Sequence, residues 1–160
     1  MNEIKLNTKD ILEFRKKIGK PFDIILRGDS MLPLIMDKDI VSVRFSKEYS
    51  LGDIVLFSYK DEGELIHRII KKQNNLFYCK GDNAFRIESI TEQNIIGIVT
   101  KVTRGSQEIQ IKKLSLLTKK ILCYLSMRVN YLFIKHDRNI QICRMSLRFR
   151  TLRYLLNKLN

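Results

Sequence analysis

A 160-residue chain that is 44% hydrophobic and 29% charged has the composition of a folded protein, one domain or a small domain with an appendage, and not of a disordered one. Cys79, Cys123 and Cys143 are odd in number and widely spaced, and the only histidines are His67 and His136. That inventory argues against a disulfide framework, a zinc knuckle or a histidine-rich metal site, so no metal and no cofactor is expected.

The first twenty residues are charged throughout and lack an apolar core, so they do not read as a secretory signal. Thr8–Ile18 reads as a short helix, capped by Asn7 or Thr8. Gly19 stands where a left-handed residue is wanted, and Pro21 forbids continuation. From Phe22 onward the pattern changes to short β-rich runs: Phe22–Arg27, Ile40–Phe45, Ile54–Tyr59, Leu65–Lys71, Leu76–Lys80, Ile95–Thr103 and Glu108–Ile111. Turn residues such as Gly28-Asp29, Gly52-Asp53, Asn74-Asn75 and Gly81-Asp82-Asn83 separate them, which predicts a mainly β, coiled antiparallel sheet or partial barrel.

After Lys112 the period becomes helical. Leu114, Leu117, Ile121, Leu125, Arg128 and Leu132 form one set, and Ile142, Met145, Phe149, Leu152, Leu156 and Leu159 a second. Two amphipathic helices joined around His136–Asn139 are expected. The stretch Ile121–Ile134 is too short to span a membrane and is interrupted by Arg128. The organisation predicted is therefore an N-terminal helix (1–20), a β-domain (21–111) and a helical extension (112–160).

The formal charge of +13 is concentrated in that extension. Residues 1–100 hold 16 Lys and Arg against 15 Asp and Glu, whereas residues 101–160 hold 14 against 2. Three uses of such a tail are open: lying on an anionic membrane surface, packing on the β-domain or a protein partner, or binding nucleic acid. Nucleic acid is the least favoured, because nothing like a helix-turn-helix precedes the β-region.

Four segments carry the chemistry. In order they are Arg27-Gly28-Asp29-Ser30-Met31-Leu32-Pro33, Leu51-Gly52-Asp53-Ile54-Val55, Leu65-Ile66-His67-Arg68 and Lys80-Gly81-Asp82-Asn83. Each alone is an ordinary turn or strand. As an ordered set over about residues 22–102 they resemble the boxes of the type I signal peptidase group. The likeness is to the branch found in the endoplasmic reticulum and archaea, which uses a Ser/His pair. The resemblance implies the fold shared with the self-cleaving repressors, whose base, like that of the other bacterial branch, is lysine; here His67 stands at that position.

That resemblance implies Ser30 as nucleophile and His67 as general base, since a serine hydroxyl needs a neighbouring base and neutral imidazole can both take and return the proton. Asp82 is the expected carboxylate behind the imidazole, and Glu88 occupies the place of a second acid. Gly28, Asp29, Met31 and Pro33 are expected to shape the oxyanion and substrate-binding surface. In this group Gly28 supplies a turn other residues avoid, Pro33 stiffens the segment and Met31 packs beneath. The Ser30 N–H is the expected oxyanion donor, and Asp53 the holder of a turn.

The function implied is a serine endopeptidase that cuts a signal or leader sequence from a precursor peptide. The rival is a catalytically silent module of the same fold that binds a leader peptide or partner. Odd, unpaired thiols and the charged N-terminus suit a cytoplasmic location, with the basic tail able to rest on the inner face of a membrane.

Overall fold

The computed structural model describes Phe14, residues 18–60 and residues 63–159. The helix expected over Thr8–Ile18 falls almost wholly outside the described residues. Its end does not: Gly19 follows with φ 72°, the left-handed turn expected of it.

Eight strands follow: β1 (Phe22–Ile25), β2 (Ile40–Arg44), β3 (Ile54–Ser58), β4 (Glu64–Gln73), β5 (Leu76–Lys80), β6 (Glu88–Thr91), β7 (Ile95–Arg104) and β8 (Gln107–Gln110). They form one antiparallel sheet in the order β1-β2-β7-β3-β4-β5-β6, with β8 added to β7. Seven were legible as alternating β-rich runs. The eighth, β6, was not, because a four-residue strand opening with Glu88 and Ser89 reads as polar. Its alternation of buried and exposed residues is visible only once Glu88 is known to point inward.

The sheet curls, and irregular register accounts for part of the curl. Pairing shifts between Ser42 and Val43, between Leu56 and Phe57, and between Ile69 and Lys71. A bulge bends and twists its strand. The β4–β5 hairpin turns on Asn74 and Asn75, at φ 50° and 60°, conformations that asparagine tolerates better than other side chains.

Curling lets both faces of β3 and β4 bury apolar residues. On one face Ile54, Leu56 and Ile66 join Met31, Ile35, Val41 and Val102; on the other Val55, Phe57 and Ile69 join Phe77, Ile90 and Ile95.

Three helices complete the chain: α1 (Leu116–Lys135), α2 (Ile140–Met145) and α3 (Leu147–Leu159). Two had been expected. The second stripe is broken at Ser146, whose extended backbone (φ −65°, ψ 142°) ends α2. Its Oγ then accepts the Phe149 N–H at 3.3 Å and starts α3. Phe149, Leu152 and Leu156 of that stripe are buried, while Met145 is 79% exposed.

The expected stripe of α1 is likewise displaced. The helix buries Leu122, Cys123, Ser126 and Val129, whereas Leu117 and Ile121 face solvent. Apolar residues surround this helix, so spacing alone does not choose the inner face. The choice is made by packing against β4 and α3.

Candidate active site

Ser30 sits in the loop that joins β1 to β2. Gly28 takes φ 96°, which only glycine adopts freely, and its N–H donates to Asp37 Oδ1 at 2.9 Å. The base of the loop is closed by Leu26 N–H to Asp39 O at 2.9 Å and by Asp39, whose carboxylate accepts Arg104 Nη2 at 2.7 Å, Arg104 Nε at 3.0 Å and the Met36 N–H at 2.8 Å. Burial alone would raise the Asp39 pKa, but Arg104 and the Met36 N–H outweigh it and hold the carboxyl below its ordinary 3.8. Met31 is fully buried beneath Ser30 in the first core, Asp29 is exposed, and the Leu32–Pro33 peptide is cis. The segment is therefore held from below while Ser30 remains half exposed.

His67 lies in β4, 5% exposed, with its ring edge-on to Phe57 of the neighbouring strand. Its Nε2 is 3.2 Å from Ser30 Oγ, and its Nδ1 is 2.8 Å from Glu88 Oε2. Glu88 is 1% exposed, and its other oxygen accepts Arg86 Nε at 3.1 Å. An ionised carboxylate can only accept, so it selects the imidazole tautomer with hydrogen on Nδ1. That leaves the Nε2 lone pair for the serine hydroxyl. Hydroxyl, imidazole and carboxylate thus stand in series, the arrangement that can draw a proton off an alcohol and hold the resulting imidazolium.

Asp82 is not the carboxylate behind His67. It accepts Arg68 Nε at 2.9 Å and Arg68 Nη2 at 2.6 Å, while Arg68 Nη1 donates to Gly52 O at 2.9 Å. His67 and Arg68 are consecutive in a strand and so project to opposite faces. Asp82 meets the second of them and Glu88, six residues on, the first. Burial works against the Arg68 charge, but Asp82 more than compensates and raises its pKa above the ordinary arginine value. Asp53 holds a turn, as expected: its Oδ2 accepts the Ser50 N–H at 2.8 Å.

Three further residues of the Lys-Gly-Asp-Asn segment join the site. Gly81 passes so close that a Cβ there would lie 2.6 Å from Ser30 O and 2.9 Å from His67 Nε2. Asn83 ties the two loops together, with its N–H donating to Ser30 O at 2.8 Å and its Nδ2 to Asp29 O at 3.1 Å. Lys80, 1% exposed, donates from Nζ to Gly81 O and Ala84 O, each at 2.7 Å. Burial pulls its pKa down to about 8, against the charges of Asp82 and Glu88. The sequence marked this segment as a turn; only the interior position of Lys80 shows that it is a brace.

The helices reach the same loop. Asn130 Nδ2 of α1 donates to Phe85 O at 2.8 Å, and the Phe85 ring lies 5.5 Å from Phe133 and 5.1 Å from Phe149, centroid to centroid. Phe85 stands between Asp82 and Glu88, so the helical layer helps set where Glu88 enters β6. The three cysteines are free and buried, and burial raises their pKa values, which leaves none poised as a thiolate nucleophile.

Among known proteins, the family model described as Peptidase S24-like matches residues 4–103, a span that holds Ser30, His67 and Glu88 together with seven of the eight strands. No curated protein matches the chain significantly. The match covers more than half of the sequence, on a fold of the serine-peptidase type, and the chain belongs to the Peptidase S24-like family.

Proposed function

We propose that this protein is a serine endopeptidase that removes a signal or leader segment from a precursor peptide by a Ser30/His67 mechanism. The observation that carries the reading is the unbroken hydrogen-bond series Ser30 Oγ, His67 Nε2, His67 Nδ1, Glu88 Oε2, at 3.2 and 2.8 Å.

The chemistry follows from that series. Ser30 Oγ attacks the scissile carbonyl carbon while Nε2 takes its proton, and Glu88 stabilises the imidazolium. The Ser30 N–H is the expected donor to the developing oxyanion. As the tetrahedral species collapses, the imidazolium returns the proton to the leaving amine and an ester to Ser30 remains. Water, deprotonated by the same imidazole, attacks the ester and releases the acid.

The substrate lies extended beside a strand edge, where main-chain hydrogen bonds hold it. Among the described residues β1 ends the sheet order and runs directly into the Ser30 loop, which makes its outer edge the nearest. Likeness to the signal peptidase boxes favours small side chains just before the cut. Lys80, buried beside the site, is the rival base. Its Nζ is committed to two carbonyls, whereas the hydroxyl of Ser30 has the imidazole as its partner.

A library of extended peptides with Ala, Gly or Ser before the scissile bond tests the proposal. The protein should cleave a subset of it, and Ser30→Ala and His67→Ala should each lower kcat/KM by at least about 10³-fold. Equal cleavage by Ser30→Ala would defeat the reading. Tight peptide binding without any turnover, unchanged in Ser30→Ala, would favour the silent binding module.

A further inference from the structure

The outward face of α1 is apolar where a helix packed on a sheet should be polar. Leu117, Ile121, Tyr124, Tyr131 and Ile134 are 69, 42, 61, 53 and 64% exposed, at spacings that keep them on one side of the helix. The opposite side buries Leu122, Cys123, Ser126 and Val129. Lys120, Arg128 and Lys135 lie among the outward residues, and Arg128 rests 5.5 Å over the Tyr131 ring.

This face continues into an open cleft of about 460 Å³ between α1 and the start of α3, lined by Arg128, Tyr131, Lys135, Leu147 and Arg148. In it the buried Nε of Arg128 has no hydrogen-bond partner among the described residues, although a buried donor ordinarily finds an acceptor. Beside it Ile142 and Met145 line a second, apolar groove with Leu132.

We propose that this face docks the protein on an anionic lipid surface, with α1 lying in the plane of the interface and a headgroup phosphate seated at Arg128, Lys135 and Arg148. Charge selects the occupant. Residues 112–160 hold 12 Lys and Arg and a single acid, Asp137. A second copy of the chain would set like charges against one another across the interface. No described helix is long and apolar enough to cross a membrane, and Lys119, Lys120, Arg128 and Lys135 interrupt α1.

An in-plane position satisfies both halves of the surface. Apolar side chains enter the acyl boundary, tyrosines sit at headgroup level, and cations face phosphate. The 20 residues of α1 offer a contact roughly 30 Å long. The inference stands apart from the peptidase reading, since none of these residues touches Ser30, His67 or Glu88 in the contacts described above.

Co-sedimentation of the full-length protein with vesicles tests it. Vesicles of phosphatidylcholine with about one third phosphatidylglycerol should carry the protein down, and pure phosphatidylcholine should not. Lys120→Gln with Lys135→Gln should weaken partition about 30-fold, from roughly fivefold per cation removed. Ile121→Ser with Tyr124→Ser should abolish binding while circular dichroism stays that of the parent, as all four positions are exposed. Inorganic phosphate at millimolar concentration should not compete. Partition that ignores lipid charge, or survives loss of both apolar residues, would overturn the proposal. So would failure to bind either vesicle, and that outcome would point to an acidic protein as the partner.

Discussion

Two buried carboxylates, six residues apart in the chain, do opposite work. Asp82 closes on Arg68 in a bidentate pair that also reaches Gly52 O, and every group in it is buried. Glu88 meets His67 through a single oxygen, and the imidazole ends on a half-exposed serine. The first pair is closed: all three guanidinium nitrogens and both carboxylate oxygens have a partner, so nothing remains for chemistry. The second is open at one end, which is what a proton relay requires. Adjacent residues of one strand supply the partners, so a single β-strand carries a structural ion pair on one face and the proposed relay on the other.

Exchanging charge for amide at each carboxylate separates the two roles. Glu88→Gln should give the largest effect, a loss in kcat approaching 10⁴-fold from the wrong tautomer, with a shift in unfolding free energy of only about 1 kcal/mol. Kinetics and urea unfolding on one preparation would check it, and a variant that unfolds readily but cleaves normally would reverse the assignment. Asp82→Asn should behave the other way. It strands the Arg68 guanidinium in the interior and should cost roughly 3–5 kcal/mol of stability. Activity per folded molecule should fall less than in Glu88→Gln.

Lys80, lying between the two pairs, sharpens the comparison through pH. In the unfolded chain this lysine keeps its proton up to about pH 10.5, and in the folded protein only up to about 8. Between those values the unfolded state binds more protons, so rising pH favours folding. Relative to Lys80→Met, the parent should gain stability from pH 8 to 10.5, by up to about 3 kcal/mol at 1.36 kcal/mol per pKa unit. Using the variant as reference cancels the buried cysteines and Tyr49, whose raised pKa values act in the opposite sense. A flat difference would mean that burial does not lower the proton affinity of Lys80.

Much of this is legible in the sequence. Ser30 and His67 were identifiable from boxes whose order and spacing are specific, and seven strands from alternation between turn residues. What escaped was partner choice. Asp82 and Glu88 are both acids in the right neighbourhood, and the sequence cannot say which face of β4 each will meet until β5 and β6 are in register. Gly81 read as turn punctuation, yet its lack of a side chain is demanded by Ser30 O and His67 Nε2. The inner face of α1 was misplaced for a related reason, since a helix apolar on two sides has no preferred face until it packs.

Local covalent pattern determined the strand runs, the Asn74-Asn75 hairpin, the candidate pair Ser30 and His67, and the concentration of positive charge beyond residue 100. These depend on short-range sterics, on side-chain period and on residue identity, all of which are written in neighbouring residues. Tertiary structure alone decided that Glu88 rather than Asp82 stands behind the imidazole, that Lys80 is an interior brace, and that α1 turns an apolar, cationic side outward. Each of those is settled by which surfaces meet, and burial is a property of the packed whole.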